Sequence, residues 1–352
     1  MSLNHQGAEP GTPLTLTQAA SLVQGRLDGD GSIQIHGLAP LDEAGPGEMA
    51  FLAMKRYGRL LRTSSAGAYL VSSEFEDLIP TGASKVIVDK PYPALRELLL
   101  YFGDEAVLRP EVHDTAVIGS RVRLGSGVRI EPFVVIEDGV SIGDGTRLGS
   151  HSVVGSNSTV GRDSILHAHV VIYPRSVIGS NVVLHSGTRI GSDGFGYTEI
   201  EGIHRKIPHI GRAIIEDNVE IGSNTTVDRG SFGDTRVGTG TKIDNLVQVA
   251  HNVQIGARSL LAALVGIAGS TRIGKGVWMG GRASATNHLE IGDAAQVAFD
   301  STVMKDIKAG ETVSGSPARP HREELRRQAN VHRLGKLQER VEVLEAGSGE
   351  SG

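Results

Sequence analysis

From residue 118 onward the chain keeps time in sixes. Ile118, Leu124, Ile130, Ile136, Ile142, Leu148, Val154, Val160, Leu166, Ile172, Ile178, Leu184 and Ile190 are all aliphatic. The beat slips, resumes as Ile215, Ile221 and Val227, and slips again. It then runs from Val237 through Ile243, Val249, Ile255, Leu261, Ile267, Ile273, Met279, Ala285, Ile291 and Val297 to Val303, softened only by Met279 and Ala285. A fixed short period means one small unit stacked many times. Six is neither the helical 3.6 nor a simple strand alternation. It fits a short strand and a tight turn, with one aliphatic residue per flat face pointing inward.

Three such faces make one triangular coil of 18 residues, and the 28 beats make about nine coils. At about 4.8 Å per coil the prism is on the order of 45 Å long. Gly often follows the beat residue, as at Gly119, Gly125, Gly161 and Gly256, where a corner tolerates no bulk. The residue two before the beat is small or β-branched, as at Val122, Val140, Ser152 and Val253. The fold class is therefore mainly β: a parallel β-helix of hexapeptide repeats. A β-sandwich with period-2 strands would not hold a register of six for so long.

Ahead of the prism, residues 15–110 read as a small α/β domain, after a structureless leader over 1–14. Thr17 serves as N-cap of a helix ending near Gly25. Strands are expected at Ser32–Ile35, Met49–Leu52, Ala68–Val71 and Val86–Val88, a short basic helix at Lys55–Arg62, and a helix opened by Pro93. The prism spans 111–313. The run Ser314 to Pro320 is an exit turn, and 314–346 form a C-terminal extension whose helix covers Glu323–Glu345, before a structureless tail at 347–352. Leu334, Leu337, Val341 and Leu344 make a narrow coiled-coil-like stripe on that helix. Self-association is its natural reading; the alternative is a helix folded over the open end of the prism, whose last coil is an exposed strand edge. Both slips in the beat must leave the prism as loops, where binding residues usually sit.

Composition narrows the chemistry. The chain has no Cys, which excludes disulfides, a thiolate nucleophile and Cys-based zinc sites. Its 352 residues carry a net charge of -5 with acids and bases mixed, and nothing suggests nucleic acid as a partner. There is no transmembrane run and no signal-peptide core, so the expected place is the cytoplasm.

The candidates for chemistry are then histidines. His251 lies two residues past an inward position, at a prism corner. Asp244 lies seven residues earlier, on the adjacent face of the same coil, placed to orient the imidazole. Gly269 is 18 residues on, one coil above, with a bare backbone N–H. A base beside an N–H donor is the minimum kit for acyl transfer. His288 comes two coils and one residue after His251, at the same corner. One corner histidine alone reads as a solvated turn residue; two beside the runs Ala268-Gly269 and Gly280-Gly281 point to function. His151 with His169, and His167 with His185, are also spaced 18 apart. A zinc site and a stacked polar corner both fit that spacing; the second is preferred, because no acidic group is evident beside the rings, and no metal is expected.

Several stretches together resemble a known family. They are Phe51 with Tyr57, the insert Ile190-Gly-Ser-Asp-Gly-Phe-Gly-Tyr197, the run Lys206-Ile-Pro-His-Ile-Gly-Arg212, Thr226-Val-Asp-Arg-Gly230, Ile243-Asp244-Asn245, and Gln248-Val-Ala-His-Asn252. Nearly end to end the chain resembles the UDP-3-O-(3-hydroxyacyl)glucosamine N-acyltransferases of lipid A biosynthesis. The resemblance implies a left-handed helix, a homotrimer with sites between prisms, an acyl carrier protein thioester as donor and UDP-3-O-acylglucosamine as acceptor, with no further cofactor. It implies that His251 is the general base, Asp244 its orienting carboxylate, Gly269 the oxyanion donor and His288 a second active-site histidine. Phe51 and Tyr57 match aromatics that hold uracil, and Asp193, Phe195, Tyr197, Gln248 and Asn252 fall in the substrate-binding motifs. Met54 stands where the family often has Asn, which removes one uracil hydrogen bond but not the stacking. Arg319, Arg322, Arg326 and Arg327, with Arg333 and Lys336, give the C-terminal helix a basic surface suited to an acidic carrier protein. The sugar O-acyltransferase of the same pathway lacks a domain like residues 1–110. A non-enzymatic solenoid would have no use for the corner histidines.

Overall fold

The computed structural model describes residues 12–103, 111–315 and 321–348. The chain divides into two compact units, with the boundary between Leu108 and Arg109.

The first unit is built on a five-stranded sheet in the order Arg26–Asp28, Lys85–Val88, Ala68–Ser72, Glu48–Leu52, Gly37–Ala39. The first pair is antiparallel and the rest are parallel. The edge strands Arg26–Asp28 and Gly37–Ala39 carry too little apolar signal to be read from sequence. Helix α1 (Leu16–Leu22) and helix α2 (Pro91–Phe102) pack their buried residues Leu16, Ala19, Ala94 and Leu98 into one core with Leu70 and Val86. The cap of α1 is Thr15, not Thr17. Thr15 and Gln18 cap each other reciprocally, side chain to backbone, at 3.2 and 2.8 Å. Thr17 has Ala20 three residues on, which cannot return the bond. Leu14, read as leader, is 3 % exposed and pairs with Ile35. Helix α2 starts at Pro91, two residues before the expected Pro93, because the missing N–H of proline costs nothing in a first turn. The basic helix at Lys55–Arg62 is a 3-10 helix.

The second unit is a left-handed parallel β-helix. Its faces are sheets of ten, ten and nine strands, so the stack is about ten coils. Away from the insertions each beat residue pairs with the one 18 positions on, as Ile142 with Val160 and Leu166 with Leu184; across them the step lengthens, as Ile190 with Val227 and Val227 with Val249. The beat also outlasts its expected end at Val303. Ile307 bridges to Ile291, and Thr312–Val313 adds one more strand to the face of Gln296–Val297.

All beat residues from Ile130 to Val303 are buried in one continuous core, Met279 and Ala285 included. The residue two before the beat also points inward, and many of these are hydroxyls. Thr146, Ser152, Thr241 and Thr271 are fully buried, and each donates to a corner carbonyl 15 residues on, at 2.7 to 3.1 Å. A buried hydroxyl without such a partner would cost on the order of 1–3 kcal/mol, so the pairing is what lets the core carry them.

The corner glycines have a cause other than backbone freedom. A Cβ at Gly161 would stand 2.5 Å from the backbone of Gly179 in the next coil. The positive φ of the turns falls two residues later and is met by non-glycine residues such as Arg121, Asn157, Asp163 and Asn252 as well as by glycines such as Gly127 and Gly145.

Both slips leave the prism at one edge. The first insertion, after Arg189–Ser192, carries an antiparallel hairpin of Tyr197–Ile200 with Ile203–Lys206 and returns at Arg212–Ile215. The second, between Thr226–Asp228 and Asp234–Val237, lies one coil further along. Gly211 ties the two together through the Gly230 carbonyl at 2.9 Å. Helix α3 (His321–Ser348) exceeds the expected span, and every described side chain on it is exposed, including Leu334, Leu337 and Val341. Among the described residues no helix is long and apolar enough to cross a membrane.

Candidate active site

The edge that carries both insertions also carries His251, Gly269 and His288 on its next coils. The Ser270 N–H donates to the His251 carbonyl at 3.0 Å, and the His288 N–H to the Gly269 carbonyl at 3.1 Å. The expected vertical alignment therefore holds. Around the first two lies a cleft of about 690 Å³. Its floor is the small residues Ala250, Gly266, Ala268, Gly269 and Ala285; its walls include Asp193, Phe195, Tyr197, Lys206, Asp228 and Gln248.

The imidazole of His251 is held in one tautomer. Asn252 Oδ1 accepts the Ser231 N–H at 3.0 Å, which fixes that atom as the amide oxygen. His251 Nδ1 lies 3.1 Å from the same oxygen, so Nδ1 carries the proton and donates it. Nε2 is left with a free lone pair, the state a general base requires. Ser231 Oγ stands 3.4 Å from Nδ1 on the same side.

The free nitrogen faces Gly269. A Cβ there would stand 2.8 Å from Nε2 and from Cε1, so only a residue without a side chain lets the ring approach this closely. No group among the described residues accepts the Gly269 N–H, whereas Asp138 and Asp293 take the equivalent corner N–H groups of Ser120 and Lys275. Gly194, in the first insertion, packs on the ring from another side, where a Cβ would be 2.9 Å from His251 Cδ2.

Three groups at this edge stand in the resembling stretches but were given no role by the sequence reading. His209, 6 % exposed, sets its ring edge-on to His251 with centroids 5.2 Å apart; its Nδ1 meets the Ile207 carbonyl at 2.9 Å. Asp228 is 7 % exposed and accepts from Ser192 Oγ at 2.9 Å and Gln248 Nε2 at 2.8 Å. Burial pushes its carboxyl above the usual range, against the pull of those two donors and of the His251 and His209 rings. Arg229 donates to the Gly191 carbonyl at 2.6 Å and lies 3.6 Å from Asp193, whose other oxygen meets Lys206 at 3.0 Å. Burial lowers the Arg229 pKa from its ordinary value. All three stand in the two slips, so the signal was the broken beat itself.

Other expected residues are placed as follows. Asp244 lies at the neighbouring edge of the prism. It accepts the Asn245 and Ala263 N–H groups at 2.7 and 3.1 Å and makes no bond to His251. Asn252, expected on the substrate, stands behind the imidazole in the orienting place. His288 is exposed and outside the cleft lining. Gln248 and Tyr197 line the cleft, with Phe195, 88 % exposed, edge-on to Tyr197. In the first unit, Phe51 meets Tyr92 edge-on at 5.5 Å and Arg56 covers the Tyr57 ring at 4.8 Å. Arg319 lies outside the described residues; Arg322, Arg326 and Arg327 are exposed on α3. The paired histidines stack flat: His151 between Phe133 and His169, and His167 on His185, each at 5.0 Å. An acidic group is present after all, since His185 Nε2 meets Glu220 at 3.0 Å.

Comparison with known proteins gives the family. The family described as UDP-3-O-(3-hydroxymyristoyl) glucosamine N-acyltransferase, LpxD, matches residues 32–100, and bacterial transferase hexapeptide repeats match 121–156 and 157–192. A UDP-3-O-acylglucosamine N-acyltransferase of Methylobacterium sp. (strain 4-46) is 46 % identical over 338 residues, covering 92 % of this chain and 94 % of its own. One from Anaeromyxobacter dehalogenans (strain 2CP-1) is 40 % identical over 349 residues, covering 96 % and 98 %. Among solved structures, an Arabidopsis UDP-N-acetylglucosamine acyltransferase superposes with a TM-score of 0.54 at 23 % identity, over 62 % of this chain and 77 % of that one, which shows the shared fold. With a prism built on a six-residue repeat, the two insertions at one edge and relatives alike over nearly the whole length, the chain belongs to the UDP-3-O-acylglucosamine N-acyltransferase family.

Proposed function

We propose that the chain moves a 3-hydroxyacyl group from the phosphopantetheine thioester of an acyl carrier protein to the 2-amine of UDP-3-O-acylglucosamine, a step toward lipid A, with His251 as general base. The amine nitrogen attacks the thioester carbonyl while its proton passes to His251 Nε2. The oxyanion that forms is met by the Gly269 N–H. Collapse breaks the C–S bond, and the imidazolium returns the proton to the leaving thiolate. The observation that supports this reading is the single-tautomer imidazole, free at Nε2, packed against Gly269, whose backbone N–H has no acceptor among the described residues.

In this reading the active form is a homotrimer in the cytoplasm. Asp244, at the next edge, orients an imidazole only where a neighbouring prism brings it there, and His288 meets substrate along the same edge. Phe51 and Tyr57 grip the uracil. The exposed arginines of α3 draw in the acidic carrier, so transfer should weaken with salt when the donor is carrier protein but not when it is an acyl-coenzyme A.

The test is transfer from a 3-hydroxyacyl carrier protein to UDP-3-O-acylglucosamine by His251→Ala. Loss of the base should lower kcat by about 10²-fold or more. Near-normal turnover would remove His251 from the mechanism.

A further inference from the structure

One carboxylate in the cleft wall has no part in the chemistry above. Asp228 ends the strand Thr226–Asp228, and the register Val227↔Val249 puts it one coil below Ala250, the residue before His251. It is 7 % exposed, and both it and His251 line the cleft. Its two hydrogen-bond donors, Ser192 and Gln248, are neutral, and among the described residues no Lys or Arg forms an ion pair with it. A buried carboxylate without a counter-ion is costly to keep, and such groups concentrate where chemistry needs a charge.

The surroundings of His251 leave that charge uncompensated. Asn252 and Ser231 at Nδ1 are neutral. His209 faces the ring edge-on, with its own Nδ1 on the Ile207 carbonyl. Among the residues lining the cleft, Asp193 is taken by Lys206 and flanked by Arg229. Within one chain Asp244 is bonded to backbone at another edge, so any Asp244 that reaches this imidazole comes from a neighbouring prism, and Asp228 is the carboxylate that the chain's own fold sets beside its own His251.

We propose that Asp228 is a positioning carboxylate for the base: held in the wall of the same cleft, its negative charge stabilises the imidazolium that His251 becomes on taking the amine proton. Asp228 stays ionised throughout. The proton moves from amine to His251 Nε2 and on to the thiolate, and the carboxylate only lowers the cost of the intermediate cation. This inference rests on His251 being the base.

Asp228→Asn keeps the shape and the bond from Ser192 but removes the charge. Ser192→Ala removes the hydrogen bond but leaves the charge. With the full-length enzyme, kcat/KM is measured against pH for both, alongside thermal unfolding. An imidazolium without its counter-charge is harder to form, so the acid limb of D228N should move to lower pH by about one unit. Its kcat/KM at neutral pH should fall at least about tenfold, as expected of a weakened base, and the limb of S192A should stay where the wild type has it. A D228N profile with an unmoved limb, or one that S192A reproduces, overturns the proposal and makes Asp228 a structural clamp. If D228N melts early, Asp228→Ser is measured in its place; loss of the fold in both has the same overturning meaning. The two assignments separate cleanly. Activity in His251→Ala sinks the base, whereas an inactive His251→Ala with an unmoved D228N limb sinks only this inference.

Discussion

At the scale of single residues, two substitutions test how closely the base is held. Gly269→Ala places a methyl carbon 2.8 Å from His251 Nε2. The backbone of a stacked coil cannot retreat, so the imidazole must turn. Misplacing a reacting group by about 1 Å costs about 10²-fold, so kcat should fall on that order. Asn252 holds Nδ1 from a residue with φ 62°, a conformation that Gly adopts freely. Asn252→Gly therefore deletes the amide without straining the turn. It should lower kcat about tenfold, since the tautomer is no longer enforced, with little change in KM for either substrate. At this scale the sequence showed His251, Gly269 and their shared edge, because both follow from counting in sixes. It did not show Asn252 as the tautomer anchor, since that role comes from Ser231, which reaches the corner only through an aperiodic loop.

At the scale of elements, α1 shows how little separates a right from a wrong boundary. Thr15 and Thr17 are both plausible caps by residue type, and the choice falls on the one with Gln18 three residues on. Thr15→Ala should cost the first unit about 1 kcal/mol, read from denaturant midpoints. Adding Gln18→Ala should cost less than the sum of the two single changes, because the bonds are reciprocal. The insertions follow the opposite logic. Their strands, Tyr197–Ile200 and Ile203–Lys206, are exposed along their whole length and have no inward beat to mark them. What fixes the first insertion is contact: Gly194 and Gly196 close over the His209 ring, where a Cβ would come within 2.9 and 2.8 Å of it.

At the scale of the whole molecule, the prism repeats any feature its corners carry, including liabilities. The flat stack of His167 on His185 brings two ionisable rings together on successive coils. Burial, with help from His185, depresses the His167 pKa below its ordinary 6.5. A depressed histidine favours its neutral form in the fold, so the stability it supports is complete above pH 6.5. That stability is lost as pH falls from there to the folded-state value, and no more is lost below it. Glu220 is held below its ordinary 4.5, chiefly by its hydrogen bond from His185, and its contribution fades only as pH drops below 4.5. Unfolding midpoints should therefore begin to fall just below pH 6.5, and His167→Gln should flatten that first decline while leaving the later one. A core change acts on one coil and its neighbours: Leu184→Ala, at a fully buried position, should cost about 2–5 kcal/mol by thermal or denaturant unfolding.

Period is a local property, carried by each six-residue unit, and so the sequence alone determined the prism, its inward residues and which corner residues share an edge. The two breaks in the period likewise announced loops. Only the tertiary structure decided what those loops cover. It brought Ser231 to Asn252 and His209 to His251 from segments that obey no repeat. It also sent Asp244 to a different edge from the imidazole it was expected to serve, because seven residues of a six-residue rhythm cross a corner. Contacts across a broken repeat depend on how far each loop reaches and folds back, and no count along the chain contains that distance.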